Sequence, residues 1–415
     1  LSDSGTAIGG GYCRVGTSGS GSKLSVYGGE VIALSSNSSR AIGKGSVTNG
    51  TPGSVGQTFI SGGSVSAYSK KLYGMAFDHA PTYGTNYIPK VTYGESDTNT
   101  ATEISPKSTK IHIYGYSYVS INNSAVDVDY VNNRWDGQKI VQSNDTAKCL
   151  MLGDDYKPSE LKDGWYSLSK DVTISDRIKI SGEVNLILTD GCKLDATQGI
   201  NLPEGNTLNI YGQGGGTGKL NAIYTFDGTA IGGDSGYNCG TLNVYGGDVS
   251  AASDSGAAIG GGCSTDGTGG DGSTVEIYGG KVSATSTDGA AIGGGNSTDG
   301  TGGDGSTVNV YGGEVIAESY NVAAIGGGVN ANGVSGSVGQ TFISGGSVRA
   351  YSGKAAFDHV PTFGAGYIPK VTYGEYGTST TSAVNPADSV YTSNKYISIK
   401  NAPNAYANVD YITNT

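Results

Sequence analysis

Two stretches 33 residues apart, AAIGGGCSTDGTGGDGSTVEIYGG at Ala257–Gly280 and AAIGGGNSTDGTGGDGSTVNVYGG at Ala290–Gly313, are nearly identical. Whatever structure one copy builds its neighbour builds too, which confines the chain to architectures made by repetition. Phased on AIGG, successive units start at Ala230, Ala258, Ala291 and Ala324, at spacings of 28, 33 and 33 residues. Each unit reads as a short alternating strand (Thr274 to Tyr278), a Gly-Gly corner, a second strand (Lys281 to Thr285), a polar turn and a third strand at Ala290 to Ile292. Three short strands per repeat, the clearest of them apolar at every second position, predict an all-β chain folded as a parallel β-helix, or β-solenoid. One such strand cannot bury its apolar face alone. Coils stacked about 4.8 Å apart would place Val275 over Val308 and Ile277 over Val310 and fill a thin interior.

The glycines are then corners, where the backbone takes positive φ or packs closely between coils. A phosphate-binding loop is excluded, because no helix follows and no Lys-Ser/Thr closes the run. A disordered linker would not interleave its glycines with strands of fixed register. With 72 glycines, 15% charged residues and few helix formers, almost no helix is expected. A net charge of -11 and a pI near 4.7 argue against a nucleic-acid partner. No run approaches the roughly 20 apolar residues of a membrane span, and Leu1 opens no signal sequence, so an export signal or anchor is expected outside these residues.

A larger repeat encloses the small one. GSVGQTFISGGSVSAYS at Gly53 returns as GSVGQTFISGGSVRAYS at Gly336, and AFDHAPTYGTNYIPKVTYGE at Ala76 returns as AFDHVPTFGAGYIPKVTYGE at Ala356. Residues 1–133 are expected to be the C-terminal part of a first, truncated module with its irregular end segment, and 134–415 a complete second one. Within the second, 134–220 would form short N-terminal coils, 221–355 the glycine-rich coils, and 356–415 an irregular Tyr/Pro-rich end segment. Beginning in mid-coil, the chain reads as a piece of a longer tandem array whose neighbouring modules cover its ends.

The run GWYSLSKDVTISDRIKISGEVNLILTDG, then LNIYGQGGGTGKL, then iterated AAIGGG and STVNVYGGEV, resembles right-handed parallel β-helix modules of large secreted or surface proteins of Gram-positive gut bacteria. The resemblance covers nearly all of 163–373 and again the start to about residue 93. It implies a right-handed, tandemly repeated solenoid, an extracellular location and an association with carbohydrate binding. It brings no catalytic motif that maps onto positions here.

Candidate chemistry is sparse. Of the polygalacturonase pattern only Arg177-Ile178-Lys179 occurs, upstream of the repeats, and Gly-His-Gly is absent. His79 and His359 share the FDH of the two modules beside Asp78 and Asp358 and read as structural, and His112 has no visible partner. The five cysteines form no zinc spacing; Cys239 and Cys263, following the glycines of successive repeats, are a candidate disulfide pair, with buried thiols as the alternative. Loops STDGTGGDGST would stack Asp266 on Asp299 and Asp271 on Asp304, where repulsion is relieved by solvent or by calcium, the one candidate metal; no other cofactor is expected. Tyr27, Tyr211, Tyr245, Tyr278 and Tyr311 each close a first strand before glycine and alternate outward, so they are expected to form a flat aromatic face for pyranose rings, or a stack that holds coils together. The expected function is a non-enzymatic extracellular bacterial surface module, a rigid stalk or adhesin whose partner is a polysaccharide or host glycan bound through Tyr211, Tyr245, Tyr278 and Tyr311. The alternatives are a filament subunit assembling head to tail and a polysaccharide-cleaving lyase or glycoside hydrolase.

Overall fold

The computed structural model describes residues 5–37, 40–71, 74–84, 89–94, 102–104, 117–123, 125–153, 157–226, 228–375, 380–381 and 389–402. These are all-β but for the four-residue helical turn Val390–Ser393. The chain divides into two compact units, Leu1–Val126 and Asp127–Thr415. The position 133/134 expected to part the modules lies inside the strand Val126–Trp135, which pairs through Val131 with Gly212 and from Asp127 on belongs to the second unit.

In the second unit the first strands of successive repeats, Thr207–Gly212, Thr241–Val244, Thr274–Ile277, Thr307–Val310 and Gln340–Ile343, pair in parallel. Their register aligns Leu208, Leu242, Val275, Val308 and Thr341 in one column and Ile210, Val244, Ile277, Val310 and Ile343 in another. The expected superposition of Val275 on Val308 and Ile277 on Val310 is therefore observed. The second strands, from Lys219–Tyr224 to Ser347–Ser352, align Leu220, Val249, Val282, Val315 and Val348 beside an alanine column of Ala222, Ala251, Ala284, Ala317 and Ala350. Third strands are two residues long and align Ile200, Ile231, Ile259, Ile292 and Ile325.

Alternation decides which side chains fill this interior. Val275, Ile277, Val282 and Val308 are fully buried, while the residues between them are at least partly open. Burying each such side chain contributes about 1.5–3 kcal/mol, and strands this short achieve it by pairing repeat upon repeat. The third strand ends at a glycine because the coils meet there: Gly293 has φ +151°, and a Cβ on it would lie 1.7 Å from the Gly326 carbonyl oxygen.

Both units end their parallel stacks with antiparallel strands. In the second, Tyr396–Asn401 joins Ser347–Ser352 to Pro369–Gly374, and the fully buried Phe357 and Tyr391 occupy the end of the interior. In the first, Lys23–Ser35 pairs in parallel with Gln57–Ser69, which Tyr118–Asn123 then joins to Pro89–Gly94. A feature that no repeat announces opens the second unit. The long strands Val126–Trp135 and Ile140–Leu152 are neighbours in its sheet, and the second continues in parallel register, Leu150 opposite Tyr166, into Glu160–Leu168.

Candidate ligand-binding surfaces

The four tyrosines expected to act together do stand in one column. Ring centroids of Tyr211 and Tyr245 are 4.5 Å apart with planes 5° from parallel, those of Tyr245 and Tyr278 4.8 Å and 4°, and those of Tyr278 and Tyr311 5.0 Å and 18°. Parallel rings at these separations overlap face to face, since rings lying side by side in one plane would collide. Their faces are thus spent on one another, and what the column shows to solvent is edges and hydroxyls. The flat platform for pyranose rings is corrected on this point. Strands repeat at about 4.8 Å, closer than the width of a phenol, so stacked tyrosines must turn their planes across the stack.

The ends of the stack are closed as well. Trp165 lies on Tyr211 at 5.1 Å and Trp135 on Tyr311 at 5.2 Å, both within 28° of parallel, and Tyr130 packs edge-on against Tyr211 at 4.8 Å. Trp135 and Tyr130 come from the strand Val126–Trp135, which also donates from Asn133 Nδ2 to the Tyr245 carbonyl at 2.7 Å. Tyr211 is left 8% exposed, and Tyr245, Tyr278 and Tyr311 are half-buried. Burial raises the phenol pKa of all four; at Tyr278 the hydrogen bond its hydroxyl donates to Glu276 Oε2 at 2.6 Å raises it further. Tyr27, in the first unit, is 75% exposed and touches Phe59 edge-on at 6.1 Å.

The four loop aspartates have two different surroundings. Asp266 and Asp299 are exposed and converge on nothing, whereas Asp271 and Asp304 hold the next coil by its backbone. Asn238 Oδ1 accepts the Asp271 amide at 2.9 Å, Asp271 Oδ1 the Asp304 amide at 2.9 Å, and Asp304 Oδ1 the Ser337 amide at 2.6 Å. Backbone amides thus donate to Asp271 and Asp304, where solvent or calcium was expected to relieve the repulsion, and among the described residues no three His, Cys, Asp or Glu side chains gather around a point.

The candidate disulfide is corrected too. The Cys263 carbonyl accepts from the Gly236 amide, while the Cys239 amide donates to Asp271, so the register carries the two cysteines to different places along the loop. Burial pushes the Cys239 thiol up to about 11, which keeps it protonated and unreactive at neutral pH.

Both FDH histidines sit in the same relay. His79 Nδ1 meets Asp78 Oδ1 at 2.6 Å and its Nε2 meets Thr58 Oγ1 at 2.8 Å; His359 contacts Asp358 and, at 2.7 Å, Thr341. The arrangement has the order of a nucleophile, base and orienter, but Thr341, 3% exposed, occupies the inward column that Val308 fills one coil earlier. It is a polar substitution at the end of the interior, and the histidine satisfies its hydroxyl. In the first unit burial works to raise the Asp78 pKa, but hydrogen bonds from His79 and the Lys44 amide outweigh it and hold the carboxyl below its usual range. His112 lies outside the described residues.

Arg177, of the upstream Arg-Ile-Lys, is a clamp. Its Nε donates to Asp234 Oδ1 at 2.6 Å, an Nη to the Gln198 and Thr229 carbonyls at 3.0 and 2.9 Å, and its guanidinium lies 4.1 Å over the Tyr224 ring. Beside it opens a cleft of about 480 Å³ lined by Lys179, Asn201, Glu204, Asp234, Tyr237 and Asn238. Asn201 Nδ2 binds Asp234 Oδ2 at 2.6 Å, so both oxygens of that carboxylate are engaged, and Asn238 Nδ2 donates to Glu204 Oε2 at 3.2 Å. No family model, no curated protein and no solved structure matches the chain.

Proposed function

We propose that this chain is a non-enzymatic, extracellular module of a bacterial surface protein, whose repeats form a right-handed parallel β-helix that serves as a rigid, glycan-binding stalk. The observation that carries the reading is the unbroken parallel register from Thr207 to Ser352, in which inward columns and outward side chains alike are spent on holding coil to coil. Besides the phenol stack and the Asn238, Asp271 and Asp304 ladder, an amide ladder runs from Asn243 to Asn209 to Asn185 at 2.8 and 2.9 Å. A structure cross-braced at every coil resists bending and shear, as a spacer must. The right hand follows from the rule for parallel crossovers. Catalysis is disfavoured because the hydroxyls of both histidine relays belong to buried threonines, Thr58 and Thr341, and the Asp234 carboxylate is bound on both oxygens. Head-to-tail filament growth is disfavoured because antiparallel strands and buried aromatics close the last coil.

A panel of immobilised plant, microbial and host glycans tests the binding, with release of reducing sugars measured in the same wells. The expected result is retention of glycan without release. Appearance of new reducing ends, abolished by a point variant, would overturn the non-enzymatic reading.

A further inference from the structure

The units starting at Ala230 and Ala258 differ in length at one place. Between Gly233 and Tyr237 the loop has three residues, 234–236, where the next coil has eight, 262–269. Hydrogen bonding fixes the alignment: the Gly233 and Gly261 amides donate to Gly260 and Gly293 respectively, and the Tyr237, Gly270 and Gly303 carbonyls accept from Gly262, Gly295 and Gly328. Tyr237 therefore heads a column whose other members are Gly270, Gly303 and Gly336. Glycine is compulsory below it, because a Cβ would come within 2.0 Å of the oxygen above at Gly270, 1.9 Å at Gly303 and 2.2 Å at Gly336. At the head of the column a side chain fits, and the one present is aromatic and 70% exposed. Packing does not account for it. The missing loop residues leave the cleft beside Arg177, on whose edge this ring stands.

We propose that the cleft at this step, between the short coils and the long ones, is the module's glycan subsite, with Tyr237 as the platform for a neutral pyranose. The proposal rests on the glycan-binding reading and moves the site off the phenol stack, whose faces are occupied. Here the ring is open, and around it lie hydrogen-bonding groups that sugar hydroxyls pair with: the planar groups of Asn201, Asn238 and Glu204, and the Lys179 ammonium. The floor is preorganised, since Arg177 ties Asp234 to Gln198 and Thr229 and Asn201 holds the other Asp234 oxygen. Arg177 matches the charge of Asp234 and leaves Glu204 against Lys179, so the cleft offers no surplus positive charge to a uronic acid and the ligand is neutral. Its length is one or two rings, by the volume of about 480 Å³.

The test is calorimetric titration of the whole chain with neutral β-linked gluco-, xylo- and manno-oligosaccharides and with oligogalacturonate. Wild type is expected to bind one neutral series, Tyr237→Ala to lose at least about tenfold in affinity, and Tyr237→Trp to retain it, while Tyr278→Phe, in the stack, changes nothing. Neutral binding that survives in Tyr237→Ala would overturn the subsite but leave the glycan reading standing. Preference for oligogalacturonate would overturn the neutral assignment, and no binding by wild type to any series would overturn both.

Discussion

At the scale of the residue, Tyr278 shows how one side chain couples stability to solution chemistry. Its ring is sandwiched between Tyr245 and Tyr311 and its hydroxyl is held by Glu276. Tyr278→Ala should cost roughly 2–4 kcal/mol by chemical denaturation, and Tyr278→Phe, which forfeits only the hydrogen bond, about 1 kcal/mol. Because burial raises all four phenol pKa values, the folded chain keeps protons that the unfolded chain releases near pH ~10. That stabilisation is complete below the unfolded value and is lost as pH rises through the folded ones. Unfolding midpoints should therefore fall steeply in alkali, with tyrosinate absorbance of the stack rising together with unfolding; ionisation of these phenols at their ordinary pH in the folded protein would contradict this. Alternation in TVEIY sufficed to place Tyr278 outside. The plane of its ring was equally implied by strand spacing, yet reading each tyrosine as one tile of a surface obscured the contact between them.

At the scale of the element, periodicity made the pairing of the repeated strands legible and left the strand Val126–Trp135 unseen. Val275 and Val308 are neighbours because the sequence repeats; Asn133 and Tyr245 are neighbours across 112 residues with no repeat to announce it. The segment's partners are a glycine, a carbonyl and ring faces, none of which leaves a pattern in a sequence. The same holds for the loops: STDGTGGDGST advertises acidic side chains but not the amides one coil away that receive them. Truncating Trp135 to Ala should uncover the lower face of Tyr311 and cost about 2–3 kcal/mol, since the indole is only partly buried. Bound hydrophobic dye should increase, and an unchanged denaturation midpoint would show that the strand merely rests on the stack.

At the scale of the whole second unit, the design is uniform bracing interrupted at one level. Lengthening the loop to eight residues by replacing 235–236 with 263–269, so that Asp234 and its pair with Arg177 remain, should leave the unfolding free energy within about 1 kcal/mol of wild type, because the columns on either side are untouched. The same change should fill the cleft and remove oligosaccharide binding, which separates a loop's contribution to recognition from its contribution to folding. A large loss of stability would mean that the short loop is needed to join short coils to long ones.

The chain has only two tryptophans, and they lie at opposite ends of the four-phenol stack. Light absorbed by any of those phenols is handed on to an indole within van der Waals range of the stack's end, so the folded unit should emit almost no tyrosine fluorescence from this column. With an indole at each end, a stack parted at one level still leaves every phenol joined to a tryptophan, so tyrosine emission should return only when the column comes apart as a whole, a change visible without a label.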